Sequence, residues 1–350
     1  HTRCSRDWSS DVCSSDLTSA LGLPTLREAI SDFYRSRHQA QVPAARIGIT
    51  TGASSAFVLA LAALVEPGDE VLMPDPCYPC SRHMVSLYGA QPRTLPVGPS
   101  TAYQPTASQV IEAWRPDTRG VMLASPANPT GGVTPKSEID KLVKGLERFP
   151  DVAIMSDEIY AQMTYDGETH QTLLAYPEIR DRLILLDGWS KTYAMTGWRI
   201  GWSVAPVPLT KAMGNIQSQQ TSNPCSVSQA AALAAITGEQ GCVESMRKVF
   251  QQRRDLVCRL LNAVPGIRCP IPDGAFHAFF NIEGLYGKAP GGKKITDSSS
   301  FCDGALEGAH VCLVPGSAFG AEGFARLSFA TSNEEIEAGV AQLAAWLAKS

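Results

Sequence analysis

Short apolar stretches alternate with amphipathic stretches along most of the chain. Stretches such as residues 135–148 follow the spacing of an amphipathic helix. The apolar stretches have strand length and are bounded by Gly, Pro or Asp. Strands that alternate with helices predict βα units, and we expect an α/β fold with a mostly parallel central sheet flanked by helices. The predicted strands are residues 70–73, 120–124, 152–156, 183–186 and 200–204.

The pattern changes after about residue 239. A long charged amphipathic helix is predicted over residues 243–263, followed by short strands and a final helix over residues 333–347. The Gly/Lys/Ser segment 287–300 is predicted to be a surface loop. We therefore expect a large domain over residues 18–240 and a smaller C-terminal α+β domain over residues 241–350.

The first 17 residues differ from the rest of the chain. They are rich in Ser, Asp, Arg and Cys and show no apolar periodicity. They lack the apolar core of a signal peptide and are not the acid-poor amphipath of a transit peptide. They resemble translated sequencing adapter, so we expect residues 1–17 to be a non-native leader that replaces the natural N-terminus.

Composition and charge narrow the class of protein. Hydrophobic residues make up 44% and charged residues 18% of the chain, as is typical of a globular protein. The net charge is −4 and no Lys/Arg run stands out, which favours neither a nucleic acid nor a membrane partner. The longest apolar run, residues 56–65, is too short to cross a bilayer and predicts a buried helix.

The cysteines indicate a reducing compartment. There are ten, of which Cys4 and Cys13 fall in the leader, and the others are scattered through a large chain. This distribution favours free thiols over a disulfide framework. We therefore expect a cytoplasmic protein.

Unusual polar motifs follow the predicted strands. In open parallel sheets, ligands bind beyond the carboxyl ends of the strands, so these motifs are candidates for one site. Residues 47–50 form another apolar stretch, and they run into a Gly-led turn, TGASSAF, that opens a helix. The other motifs are SPANPTG with Asn128, SDEIY with Asp157 and Tyr160, and DGWSKTYAMTGWRIG with Ser190, Lys191 and Arg199.

These residue types suit a phosphorylated pyridine cofactor. A lysine amine can form an imine with an aldehyde and can later carry a proton. A carboxylate beside a pyridine nitrogen keeps that nitrogen protonated, which makes the ring an electron sink. An amide and a phenol can hydrogen-bond a ring hydroxyl. Backbone N–H groups at a helix start, hydroxyls and a guanidinium suit a phosphate.

The motifs together resemble the pyridoxal-phosphate-dependent class I/II aminotransferases of the aspartate aminotransferase superfamily, fold type I. The string SKTYAMTGWRIG resembles the family's lysine motif, and NPTG and SDEIY resemble two others in the same order. The resemblance covers residues 18–350. It implies an aminotransferase of amino acid metabolism or biosynthesis, with pyridoxal 5'-phosphate as cofactor and an amino acid and a 2-oxo acid as substrates. It also implies a homodimer with active sites at the interface.

The resemblance assigns a role to each candidate residue. Lys191 would be the catalytic Schiff-base lysine, Asp157 the partner of the ring nitrogen, and Tyr160, with Asn128, a partner of the ring oxygen. Tyr78, in DPCYPC, would stack on the ring. Arg326, in ARLSFA, would bind the substrate α-carboxylate beside Asn128, a bidentate task that suits Arg. The phosphate would be bound by Gly52, Ala53, Ser54, Ser190 and Arg199.

One position departs from the family pattern. The family usually has a tyrosine five residues before the glycine that corresponds to Gly22, and it reaches the phosphate of the partner subunit. Leu17 occupies this position here. We interpret the difference as a result of truncation.

Cys77 and Cys80 form a CxxC that could indicate a redox or a zinc site. A thioredoxin-like CxxC should open a helix, whereas Pro76 and Pro79 are expected to keep this segment extended. A zinc site would need a second pair of ligands, which His83 alone does not supply. We therefore expect both cysteines to be bystanders.

Two other functions share these motifs. A carbon–sulfur β-lyase would use the same residues, although TGWRIG looks more like the transaminases. A transcription regulator with an aminotransferase-like sensor domain would carry a basic winged-helix segment upstream. Arg326 predicts a substrate α-carboxylate, and residues 274–280 and 295–301 are expected to influence the choice of substrate.

Overall fold

The computed structural model describes residues 17–349, so the predicted leader lies outside the described residues except for Leu17. A seven-stranded sheet forms the centre of the fold, with the strand order β1-β7-β6-β5-β4-β2-β3. Strands β3, β2, β4, β5 and β6 are mutually parallel, which confirms the predicted α/β fold with a mostly parallel sheet. The strands are β1 (Ile47–Thr50), β2 (Glu70–Asp75), β3 (Gln91–Pro96), β4 (Thr118–Ala124), β5 (Ala153–Asp157), β6 (Leu183–Gly188) and β7 (Gly201–Val204).

Two features of this sheet are not visible in the hydrophobic pattern. Strand β3 reads QPRTLP and lies at the sheet edge, where polar side chains and proline are tolerated, so it lacks an apolar run. Strand β7 is antiparallel to both of its neighbours. The segment 189–200 before β7 is too short to contain a crossover helix that spans the sheet. The chain therefore cannot return to the opposite edge of the sheet, from which a strand parallel to β6 would begin.

Helices cover both faces of the sheet. Neighbouring strand residues point to opposite faces: Leu72 packs with one layer of helices, while Val71 and Met73 pack with the other. Both layers are apolar, which explains the nearly continuous hydrophobic runs of the inner strands. One layer contains α1 (Pro24–His38), α4 (Ala107–Glu112), α5 (Lys136–Leu146) and α8 (Ser226–Thr237), and the other α2 (Ala53–Leu64), α3 (Pro79–Leu87) and α7 (Val207–Gln220). The short α6 (Trp189–Thr192) follows β6.

Residues 241–349 form an α+β arrangement around their own core. A three-stranded antiparallel sheet, ordered β8-β10-β9, packs with three helices. This core also takes in Tyr160 and Tyr165 from the segment after β5, so the C-terminal part packs beside the end of the large sheet. A domain boundary near residue 240 stays a prediction. The elements are α9 (Gly241–Asn262), β8 (His277–Asn281), α10 (Ser298–Ala309), β9 (Val314–Pro315), β10 (Phe324–Ser328) and α11 (Asn333–Leu347).

The predicted surface loop 287–300 is wrong at its C-terminal end. Helix α10 begins at Ser298, and a short 3-10 helix occupies Pro290–Gly292. The side chain of Asp297 accepts a hydrogen bond from the Ser300 amide, and Ser300 bonds back to the backbone of Asp297. This reciprocal cap satisfies helix-end donors, which allows a polar Ser-rich stretch to start a helix.

The expectation that Pro79 keeps the CxxC segment extended is also wrong. Helix α3 begins at Pro79, with Tyr78 as its N-cap. Proline is tolerated at the first helical position because its missing N–H would have no partner within the helix there. A helix therefore does begin within the CxxC, and the bystander role of Cys77 and Cys80 stays a prediction. Within residues 17–349, no three His, Cys, Asp or Glu side chains are grouped to hold a metal.

Candidate active site

The predicted site residues meet at one edge of the large sheet. Asp157 is the last residue of β5, and in the parallel register it lies between Ala124 of β4 and Leu186 of β6. The loops that follow these strands border a cavity of about 270 Å³. Nine of the predicted residues line this cavity: Ala53, Ser54, Tyr78, Asn128, Asp157, Tyr160, Ser190, Lys191 and Arg199.

Lys191 projects from α6 and lines the cavity. Its Nζ donates no hydrogen bond to the part of the chain that the structure describes, and it lies 5.6 Å from the centroid of the Phe276 ring. Partial burial lowers the pKa of Lys191, and the positive charges of Arg199 and Arg326 lower it further. A lowered pKa increases the fraction of neutral amine, which is the nucleophilic form.

Asp157 presents a carboxylate to the same cavity. Its Oδ1 accepts a hydrogen bond from the Ile159 amide at 3.2 Å. Burial raises the pKa of Asp157 to about 6; the charge of Glu158 also raises it, while the Ile159 amide and Lys191 act in the opposite direction. The carboxylate is therefore ionised at pH 7 and can pair with a cation in the cavity.

Gly52 and Arg199 form one corner of the site. Gly52 has φ +90° directly before α2, and a Cβ there would lie 2.6 Å from Nη2 of Arg199. Arg199 itself has φ 50°, and its Nη1 donates to the Thr196 carbonyl at 2.9 Å. The first-turn N–H groups of a helix have no partner within the helix. Together with the hydroxyls of Ser54 and Ser190, this corner has the donors that a phosphate requires.

Arg326 lies on β10 and reaches the site from the C-terminal part of the chain. It does not line the cavity, but its Nη1 donates a hydrogen bond to Oδ1 of Asn128 at 3.0 Å. Its guanidinium carbon lies 5.0 Å from the centroid of the Phe319 ring. Nε of Arg326 is buried and has no hydrogen-bond partner within residues 17–349. This guanidinium therefore has donor capacity left for a ligand.

Two tyrosines, Tyr78 and Tyr160, also line the cavity. Tyr78 is 38% exposed, and its contact with Cys80, together with burial, raises the pKa of its hydroxyl to about 12. Tyr160 is buried with its ring edge-to-face on Phe276, with ring centroids 5.4 Å apart. Burial and the charge of Asp157 raise the pKa of Tyr160. Both hydroxyls are therefore hydrogen-bond donors at neutral pH.

The sequence did not identify Phe276 or His277 as individual site residues. His277 is buried, its ring lies 5.7 Å from that of Tyr160, and its Nδ1 has no partner among the described residues. Burial and the charges of Arg326 and Lys191 lower the pKa of His277, so the imidazole is neutral. Both residues fall in the range 274–280 that was expected to matter, but an apolar strand with one histidine is typical of core packing.

A buried acid–base pair beneath the site was also missed. Oε2 of Glu158 lies 2.8 Å from Nε2 of His170, and both side chains are almost fully buried. Oε1 of Glu158 accepts hydrogen bonds from the Ser156 hydroxyl and the Leu173 amide. In sequence Glu158 is part of SDEIY, but nothing in the pattern indicates that a histidine twelve residues later is its partner.

The chain is similar to aminotransferases of known sequence and structure. The sequence profile of the family described as aminotransferase class I and II matches residues 16–343. An aspartate/prephenate aminotransferase from Cereibacter sphaeroides is 39% identical over 333 residues, which cover 95% of this chain and 83% of that protein.

Solved structures agree with this similarity. The crystal structure of the aspartate aminotransferase from Rhizobium meliloti has a TM-score of 0.92 and 38% identity, covering 95% of this chain and 84% of that one. An aromatic aminotransferase from Pyrococcus horikoshii has a TM-score of 0.88 and 31% identity, covering 95% and 88%. These similarities do not favour the β-lyase or the regulator. The chain therefore belongs to the class I and II aminotransferases, whose members depend on pyridoxal phosphate, and is itself an amino-acid aminotransferase.

Proposed function

We propose that the chain binds pyridoxal 5'-phosphate at Lys191 and uses it to move an amino group from an amino acid to a 2-oxo acid. The observation that carries this proposal is that Lys191 and Asp157 line the same cavity. Nζ of Lys191 has no polar partner within residues 17–349 and a lowered pKa. Asp157 supplies an ionised carboxylate to the same cavity. When bound, the cofactor supplies an aldehyde that combines with amines and a protonated ring that accepts electron density.

The residues present fit this cofactor. Gly52, Arg199 and the first turn of α2 would bind its phosphate, because a Cβ at Gly52 would fill the corner beside the guanidinium. The carboxylate of Asp157 would keep the ring nitrogen protonated. Asn128 and the Tyr160 hydroxyl would donate to the ring oxygen, and Tyr78 would stack on the ring.

Lys191 would also move the proton that amino transfer requires. Its lowered pKa allows Nζ to accept a proton from the substrate Cα and to return it. The Phe276 ring beside Nζ and the buried Tyr160 limit the access of water to this atom. Limiting water favours return of the proton to the substrate over exchange with solvent.

Arg326 would bind the α-carboxylate of the substrate. Its unpartnered Nε and the planar guanidinium suit a bidentate contact with a carboxylate. The relatives from Cereibacter sphaeroides and Rhizobium meliloti are named as an aspartate/prephenate aminotransferase and an aspartate aminotransferase. We therefore propose L-aspartate as the amino donor of this chain.

The direct test is a panel of donors and acceptors with the cofactor-loaded protein. Aspartate with 2-oxoglutarate should give glutamate and oxaloacetate, and prephenate should be tried as a second acceptor because of the relative from Cereibacter sphaeroides. A loaded protein that forms no amino acid from any 2-oxo acid contradicts the proposal. Pyruvate release from cysteine conjugates without an acceptor would indicate the β-lyase instead.

Arg326→Met should raise KM for the amino donor about 100-fold, because a charge-assisted bidentate contact is lost. The reaction of the corresponding amine, which lacks the α-carboxylate, should change little. Arg326→Lys should restore part of the affinity, because lysine keeps the charge but not the bidentate geometry. Equal loss with both substrates would indicate that Arg326 acts on the fold and not on the carboxylate.

Gly52→Ala should weaken cofactor binding about 10-fold or more, because its Cβ would push against the guanidinium of Arg199. Gly68→Ala is a matched control: Gly68 has φ +99°, but a Cβ there would meet nothing within 4 Å. Both variants carry the backbone strain, so both should lose about 1 kcal/mol of stability. Equilibrium titration with the cofactor and thermal unfolding separate the two effects, and equal cofactor affinity would contradict the phosphate role.

We further propose a cytoplasmic homodimer. The eight cysteines within residues 17–349 are all free, which supports a reducing compartment. Trp198, next to Arg199, is 46% exposed, and Val227 is 68% exposed. The hydroxyl of Ser228 donates to the Trp198 carbonyl, so the start of α8 meets the segment that carries Arg199. A second copy could cover both apolar side chains, and light scattering of the purified protein would measure the dimer.

A further inference from the structure

We propose that Arg82 is a positioning residue that sets the orientation of Arg326 through the Phe319 segment. The proposal rests on the proposed role of Arg326 in binding the substrate carboxylate. Arg82 itself does not line the cavity. It lies on α3, one turn after Tyr78, and connects that helix to a turn of the C-terminal part of the chain.

The contacts of Arg82 bring three segments together. Its Nη2 donates to the Phe319 carbonyl at 2.8 Å and to Oδ1 of Asp75 at 2.9 Å. The same nitrogen lies 3.5 Å from Sγ of Cys77. The amide of Cys77 also donates to the Phe319 carbonyl, at 3.2 Å. The carbonyl of Phe319 is thus held by two donors from the segment that carries Tyr78.

The ring of Phe319 in turn supports Arg326. Phe319 ends a short 3-10 helix, Gly316–Phe319, and its ring is almost fully buried. The Arg326 guanidinium carbon lies 5.0 Å from its centroid, a cation–π contact. The hydrogen bond to Oδ1 of Asn128 is a second contact that orients this guanidinium. A shift of Phe319 would therefore move a group that orients Arg326.

The junction is closely packed around Gly320. Gly320 has φ +90°, and a Cβ there would lie 1.9 Å from Oδ1 of Asp75 and 2.8 Å from Nη2 of Arg82. Only glycine allows the backbone of this turn to approach the Arg82–Asp75 pair so closely. The position of the turn therefore depends on that pair.

The first test compares Arg82→Met with Arg93→Met in the cofactor-loaded enzyme. The two arginines are matched: each has a side chain 24% exposed, and each pairs with a half-buried carboxylate, Asp75 or Glu70. Arg93 also bonds a carbonyl, that of Ala113, but it lies on the edge strand β3. Arg82→Met should raise KM for the amino acid about 10-fold, with kcat within about 3-fold of the parent. Arg93→Met should change neither constant by more than about 2-fold.

A double-mutant cycle then tests whether Arg82 acts through Arg326. If it does, the double variant should have the same KM as Arg326→Met alone, because the guanidinium that Arg82 orients is already absent. Additive increases overturn the proposal. If Arg326→Met alone leaves KM unchanged, the proposed function of Arg326 fails, which is a different result. Arg82→Met should leave the KM for the amine without an α-carboxylate unchanged. General damage to the fold would instead raise the KM for the amine and for the amino acid equally.

Gly320→Ala provides a second variant that keeps the arginine. Its Cβ should displace the turn from Asp75 and Arg82 and should raise KM in the same direction as Arg82→Met. Arg82→Lys, which keeps one charged donor, should restore part of the affinity. Unchanged KM in both Arg82→Met and Gly320→Ala, with normal thermal unfolding, would show that the junction does not control Arg326.

Discussion

Lys191→Ala is expected to abolish transamination, with a loss of at least about 10⁴-fold in kcat. The substitution removes both the amine that would bind the cofactor and the group that would move the Cα proton. Within residues 17–349, none of the other residues that line the cavity is a lysine. No other amine of the cavity lining can therefore take over the role.

Absorption and activity should change together in this experiment. The cofactor-loaded parent should show a visible absorption band from its covalent link to the protein, and Lys191→Ala should lack it. Lys211→Ala is the control, because Lys211 lies exposed on α7 and should retain both band and activity. A Lys191→Ala protein that still turns over an amino acid would disprove the assignment.

Asp157→Asn is expected to lower kcat about 10³-fold, because the carboxylate that would stabilise the protonated ring nitrogen of the cofactor is replaced by a neutral amide. The two side chains have nearly the same shape, so packing at the end of β5 should be preserved. Asp273→Asn is the control: burial also raises the pKa of Asp273, but this residue does not line the cavity. Activity in Asp157→Asn close to that of the control would contradict the ring-nitrogen role.

The same substitution should have the opposite effect on the stability of the cofactor-free protein. The pKa of Asp157 is raised from 3.8 to about 6, so the folded state binds a proton more tightly than the unfolded state. The parent should therefore lose stability as the pH rises from about 4 to about 6, and Asp157→Asn should lack this contribution. Above pH 6 the variant should be more stable, by on the order of 3 kcal/mol. Denaturant unfolding across this range measures the difference, and parallel pH profiles would contradict the burial cost.

This pair of results would define a conflict between folding and catalysis at Asp157. An ionised carboxylate in a partly buried position is unfavourable for the empty protein, and its cost is offset when a cationic ring pairs with it. Glu158 raises the pKa of Asp157 from the side of the fold core, where it is itself paired with His170. The electrostatic environment of Asp157 therefore depends on residues beyond the cavity.

The sequence alone determined the inner parallel strands of the large sheet and the residues that face their carboxyl ends. Each of these signals is local: a strand is an uninterrupted apolar run, and Asn128, Asp157 and Lys191 each come shortly after such a run or at its end. Because parallel strands end at one edge, a local motif after each strand is enough to predict one shared site. The roles of the individual residues remain proposals, but their convergence on one cavity could be predicted.

Only the tertiary structure decided the features that depend on contacts between distant segments. The antiparallel direction of β7, the place of Phe276 beside Lys191 and the pairing of Glu158 with His170 leave no periodic signal in the sequence. The contact of Arg82 with the Phe319 carbonyl joins residues 237 positions apart. Such contacts are set by how the C-terminal core packs against the end of the sheet, and packing selects partners by shape and distance, not by spacing along the chain.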